Sequence, residues 1–123
     1  MDSIAAVALA VFILLAGCSH FVFPGYFRSL VPSWLGRADL LVAASGAAEL
    51  LVGALILAPT SRSVGAWSAA CLITVYLVSH LDALRHAHRR HPSVLWRPVG
   101  VAARLAVNLG YLGWAVAVAL AAA

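Results

Sequence analysis

Apolar residues in this chain do not alternate with polar ones; they come in four long blocks separated by short polar stretches. The blocks run over about 3–23, 39–58, 64–84 and 99–121. Each is about 20 residues long, which as a helix covers the hydrocarbon thickness of a bilayer. Every proline (Pro24, Pro32, Pro59, Pro92, Pro98) falls at or between the block ends, as uninterrupted helices require. Between the first two blocks lies HFVFPGYFRSLVPSWLGRAD, where Pro24 and Gly25 end the first helix. Phe27, Leu30, Val31, Trp34 and Leu35 then recur at helical spacing, although Pro32 argues against one unbroken helix. Trp34, set between Arg28 and Arg37, places this stretch at headgroup level. PTSRS, Pro59 to Ser63, is a tight hairpin. The pattern predicts an all-α, integral membrane four-transmembrane-helix bundle, with a short interfacial segment between helices 1 and 2, and a single domain over 1–123.

Polar residues inside the blocks carry the candidate chemistry. Glu49 lies near the middle of ADLLVAASGAAELLVGALILAP, Ala38 to Pro59, about 15 Å from either end. A carboxylate at that depth is costly, so it has to face protein or a wet cavity. Ser45, Gly46 and Gly53, about one turn away, admit close neighbours on the same face. The other helices are therefore read as a wall around Glu49. His20 and His80 each lie four residues from the arginine-rich end of their helices, about 6 Å in, and Tyr76 shares a face with His80. Arg104, Asn108 and Tyr111 form one stripe of the last block. His20, Glu49, Tyr76, His80, Arg104 and Asn108 thus gather in one half of the bundle. Asp82 points away from them, toward Arg85 and His86 of the following loop.

Composition agrees with a bilayer setting. Hydrophobic residues make up 64% of the chain and charged ones 10%, against about 25% charged in soluble domains. The net charge of +4 comes from arginines in loops, so it reads as a topology signal and not as a nucleic-acid surface. Arg28, Arg37, Arg85, Arg89, Arg90 and Arg97 share one side and Arg62 lies on the other, which puts both termini outside. LAGC, Leu15 to Cys18, matches a lipoprotein cleavage box. No Lys or Arg precedes it, so a retained helix is expected. Cys18 and Cys71 have no metal or disulfide spacing and read as unrelated, buried packing thiols.

AGCSHFVFPGYFRSLVPSWL, SGAAELLVGALILAPTSRSVGAW and RLAVNLGYLGWA together resemble the DoxX-like family of small four-helix bacterial membrane proteins. The resemblance rests on His20 and Phe21, Pro24, Val31 and Pro32, Ser45-Gly46 followed by Glu49, and Arg62. The chain departs from that pattern at Ala106 and Asn108, where relatives carry proline and glutamine. It departs again at Val78, Ser79 and His80, where many carry Pro-Ala-Asn. The resemblance implies the bacterial inner membrane, and a link to membrane redox complexes and thiol homeostasis through similarity to a thiosulfate:quinone oxidoreductase subunit.

Two readings of the polar half stand side by side. In one it is a ligand site for a quinone or lipid headgroup, with His20 and Arg104 donating hydrogen bonds and Glu49 taking a proton. In the other the same groups bond each other and fix helix register, at about 0.6 to 2 kcal/mol per contact. His86, His88 and His91 lie among arginines that repel a cation, so the loop reads as a solvated basic surface and not as a metal site. Function is expected to be that of an accessory or ligand-binding subunit in the bilayer, as part of a larger complex or a homo-oligomer. A quinone-interacting oxidoreductase subunit with its own proton chemistry is the alternative.

Overall fold

The first apolar block ends where Phe23 leaves helical geometry (φ −123°, ψ 57°), and Pro24 opens a short second helix. The computed structural model describes residues 2–123. It contains α1 (Asp2–Val22), α2 (Pro24–Leu30), α3 (Ala38–Leu57), α4 (Arg62–His86) and α5 (Pro98–Ala122), with single 3-10 turns at Pro59–Ser61 and Val94–Trp96. All regular structure among the described residues is helical, and α1, α3, α4 and α5 are long and apolar enough to cross a bilayer. The segment between α1 and α3 is thus itself a helix, but a shorter one than its apolar spacing predicts. It stops at Leu30, and Val31 is extended (φ −72°, ψ 125°). The following Pro32 disfavours helical geometry at the residue before it.

Antiparallel neighbours pack in the order α1, α3, α4, α5, and α5 returns to α1. At that seam the Trp114 indole donates to the Ala5 carbonyl (3.2 Å), and Phe12 lies 4.6 Å from Tyr111 between ring centroids. The hydrophobic core comes from the first half of α1 (Ala6, Leu9, Ala10, Ile13), the end of α3 (Val52, Ile56), the start of α4 (Ala66, Ala69, Ala70, Ile73) and the end of α5 (Ala115, Val118, Ala119). All of these lie toward one end of the bundle. Alanine dominates, so the helices sit close.

Helices α1 and α3 approach closely. A Cβ built on Gly46 would stand 2.8 Å from His20 Cβ, and one on Gly53 would stand 2.6 Å from Leu14 Cγ. Both glycines are buried, so this face of α3 has room only for hydrogen at those positions. Large apolar side chains point the other way: Ile4, Leu15, Leu51, Val64, Val75, Val99 and Leu120 are between 62% and 75% exposed. A chain that encloses alanines and presents leucines outward is built for an apolar surrounding.

Helix α4 begins two residues earlier than the apolar block, because Arg62 belongs to the hairpin. Its Nε donates to the Ile56 carbonyl (2.8 Å) and Nη2 to the Leu57 carbonyl (3.1 Å), while the Ser61 hydroxyl takes the Leu55 carbonyl (2.8 Å). These are carbonyls that the end of α3 leaves without helical partners. Arg62→Ala is expected to cost about 1.5 kcal/mol, read as a lower unfolding midpoint in detergent. An unchanged midpoint would mean that solvent caps α3 equally well.

At the other end the first arginine-rich connection packs on the end of α4. The Trp34 indole donates to Asp82 Oδ1 (3.1 Å), and the Ser79 hydroxyl donates to the Leu30 carbonyl. Asp82 also lies 3.7 Å from His86 Nδ1. Its expected engagement with the following loop is therefore shared with the earlier one, and Arg85 is exposed.

Candidate functional site

The polar residues occupy the half of the bundle opposite the alanine core, and they form two clusters on either side of α4. The first joins α1 to α3. His20 and Glu49 are buried at 6% and 7% exposure, and His20 Nδ1 stands 3.0 Å from Glu49 Oε2. The same Nδ1 lies 2.7 Å from the Ala16 carbonyl, which can only accept, so this nitrogen carries the hydrogen. That hydrogen points to Ala16, and Glu49 Oε2 is left without a hydrogen-bond donor. The contact is an electrostatic approach along the edge of the imidazole. Phe27 of α2 stacks on the ring (centroids 4.0 Å, planes 15° apart) and fixes its plane. The Tyr76 hydroxyl of α4 lies beside Glu49 and Ser45, buried and without hydrogen-bonding geometry to either.

The second cluster joins α4 to α5. His80, 8% exposed, lies beside Arg104 and Asn108, and its Nδ1 has no partner. Asn108 donates to the Arg104 carbonyl one turn back (2.8 Å). All three guanidinium nitrogens of Arg104 are shielded and unpartnered, and Cζ stands 4.9 Å from the centre of the Trp96 ring. A desolvated cation on an indole gains about 2 kcal/mol. A lone buried ion loses several kcal/mol after relaxation, so Trp96 does not offset the charge.

Trp96 sits there because α5 admits it. The turn Val94–Trp96 folds so tightly over the start of α5 that a Cβ on Gly100 would overlap the Val94 carbonyl. Arg97 secures the turn by donating from Nε to the His91 carbonyl (2.8 Å). Helical side chains lean toward the N-terminus, so Arg104 reaches back about two turns to the indole.

Beneath this turn opens a cleft of about 550 Å³, the size of a small-molecule site. His80, Arg104, Asn108, Tyr26 and Tyr111 supply its polar groups, and Val94, Leu95, Val99, Ala103 and Val107 its apolar walls. A neighbouring hollow of about 180 Å³ between α2 and the end of α4, bordered by Ser29, Ser79, Asp82 and His86, is too small for such a ligand.

Of the residues read as one site, His80, Arg104 and Asn108 border the cleft, while His20 and Glu49 form a separate enclosed pair, with Tyr76 between the two on α4. His20 and Arg104 do not share a cavity: His20 turns to Glu49 on α3, whereas Arg104 turns to the cleft beside His80 of α4. Mutual bonding among His20, Glu49, Arg104 and Asn108 does not occur either: the His20–Glu49 approach is the one side-chain contact among those four. Trp96, Phe27 and Gly100 are participants that the sequence reading did not single out. An arginine two turns into a helix that follows a tryptophan is the signal that could have found Trp96.

Cys18 and Cys71 are both exposed and not buried. Each lies on an outward face, where an apolar surrounding and a protein core look alike in sequence. His88 and His91 have ring centroids 5.2 Å apart, and no cluster of three His, Cys, Asp or Glu occurs among the described residues.

The sequence model of a family described as Domain of unknown function (DUF8561) matches residues 9–119, which include all five helices at least in part. The chain belongs to that family. The DUF8561 match spans both polar clusters and the whole cleft. No curated protein and no solved structure matches the chain.

Proposed function

We propose that this chain is a multi-pass integral membrane protein of the DoxX-like type that holds an amphipathic molecule, a quinone or a lipid, in the cleft between α4 and α5. It serves as an accessory or ligand-binding subunit of a larger membrane complex in the bacterial cytoplasmic membrane, with both termini outside. The carrying observation is the make-up of the cleft: unpartnered His80 and Arg104 nitrogens at one end and valine, leucine and alanine along the walls. Such a shape matches a molecule with a polar head and an apolar body. The outward leucines and valines support the bilayer setting.

The test is purification of the tagged chain from its own host into nanodiscs, followed by native mass spectrometry. Retention of a quinone or lipid at fixed stoichiometry is the expected result, together with larger subunits under the mildest extraction. A bare chain that carries only the lipids of the surrounding annulus would overturn the ligand reading.

A second reading is favoured by the His20–Glu49 approach (3.0 Å) with Tyr76 of α4 beside it. These groups could pass a proton toward a quinone bound at His80, with the electrons supplied by a partner subunit. Loss of quinone turnover in the purified complex on Glu49→Gln, with the quinone still bound, is the outcome that separates this reading from simple binding.

A further inference from the structure

We propose that the ligand of the α4–α5 cleft is an anionic amphiphile, its phosphate or carboxylate head held by Arg104 and His80 and its acyl chain laid along α5. The proposal rests on the reading of the cleft as a ligand site and adds the charge of what binds there.

The first argument is a missing counter-charge. Arginine stays protonated in proteins, and none of the guanidinium nitrogens of Arg104 has a hydrogen-bond partner or measurable solvent contact. The chain cannot supply the anion from its own acids. Glu49 lies outside the cleft, enclosed against His20 (3.0 Å), while Asp39 is engaged by Arg28 (3.3 Å), and Asp82 by His86 (3.7 Å) and the Trp34 indole. Asp2 begins α1 at the opposite end of the bundle. Trp96 covers one face of the guanidinium, and its ring offers no acceptor for the N–H groups.

The second argument is independent of that charge. His80 comes from the facing helix, is 8% exposed, borders the same cleft and has an Nδ1 without a partner. An acid head accepts from both side chains once their shielded nitrogens turn into the cleft, and it brings the negative charge that a quinone carbonyl lacks.

The third argument is level. Trp96 precedes α5, so the guanidinium beside it lies near the start of that helix, where a lipid head sits when its chain points inward. From Val99 to Tyr111 the cleft follows α5 for about 18 Å, long enough for most of an acyl chain against Val99, Ala103 and Val107.

The experiment uses the full chain in nanodiscs of phosphatidylcholine containing one-tenth phosphatidylglycerol, and separately in detergent with oleate or ubiquinone. Native mass spectrometry reads what each form retains. Wild type is expected to retain phosphatidylglycerol, or oleate in detergent, at least tenfold above its share of the mixture. Arg104→Gln is expected to fall to that share. Ala103→Phe, at an exposed position on the cleft wall, is expected to do the same while leaving Arg104 and His80 in place, and so covers the case in which Arg104→Gln fails to fold. Preference for phosphatidylglycerol identifies a bilayer phospholipid as the source of the acid, and preference for oleate a free fatty acid. Retention of phosphatidylcholine or ubiquinone in place of the anions overturns this proposal and leaves the ligand site standing. Enrichment of no probe overturns both.

Discussion

Gly46→Val is expected to separate α1 from α3 and to remove most of the folded protein recovered in detergent. The cause is steric and local. A Cβ at this position would stand 2.8 Å from His20 Cβ and 2.8 Å from Phe21 Cε2, distances that side chains do not tolerate. His20 Cβ is fixed to its own backbone, so relief requires movement of α1 as a whole, and the His20–Glu49 approach moves with it. Helix propensity acts in the opposite direction: alanine is better than glycine in a helix by about 0.5–1 kcal/mol. Overpacking of a close interface costs about 1–3 kcal/mol or more, so the clash wins even for Gly46→Ala and by a wider margin for valine. Gly110→Ala supplies the internal control, since a Cβ there meets nothing within 4 Å. It is expected to raise the unfolding midpoint while Gly46→Ala lowers it. Equal midpoints for the two alanine variants would show that α1 and α3 do not depend on this close approach.

The same contrast explains what the sequence disclosed. The four long helices are legible because bilayer thickness, proline and block length impose one answer, and observed ends lie within about two residues of the expected ones. The half of the bundle that holds His20, Glu49, His80, Arg104 and Asn108 is legible too, since depth follows from a constant rise per residue. Direction around the helix axis is not. In a soluble helix the polar stripe marks the outside, but the stretches of α1 and α4 around Cys18 and Cys71 are mostly apolar on every side, so the sequence does not say which of their faces meets protein. Cys18 and Cys71 were expected inside for that reason and lie outside.

Neighbour order causes the remaining differences. Arg104 and Glu49 share a half of the bundle but face different partners, because α4 separates α3 from α5 and carries Tyr76 toward one and His80 toward the other. Trp34 reaches Asp82 across 48 positions of sequence, and Arg62 reaches back over a hairpin to the end of α3. Neither contact has a periodic signature. The small residues did carry their meaning: Gly46 and Gly53 mark close approach on sequence grounds and provide it against α1.

His20→Leu is expected to cost more than any single change at Glu49, and Glu49→Gln added to it is expected to recover much of the loss. Glu49 is 7% exposed, and the His20 Nδ1 faces its Oε2 at 3.0 Å. Leucine fills much of the imidazole volume and preserves packing against Phe27, so the variant mainly removes the electrostatic neighbour. Taking a polar neighbour away from a buried polar group costs about 1–3 kcal/mol, because the other group is left facing an apolar side chain. Gln at position 49 keeps the shape of the carboxyl and removes its ability to ionise. With His20 in place, Glu49→Gln loses an approach that is not a formed hydrogen bond, and its cost is expected to be about 1 kcal/mol. The double variant should therefore lie well above His20→Leu alone. The measurement is a double-mutant cycle of unfolding midpoints in one detergent, with recovery after gel filtration as a second readout. Additive losses at the two sites would mean that His20 serves α1 through its bond to the Ala16 carbonyl and its stack on Phe27, and that it does not serve Glu49.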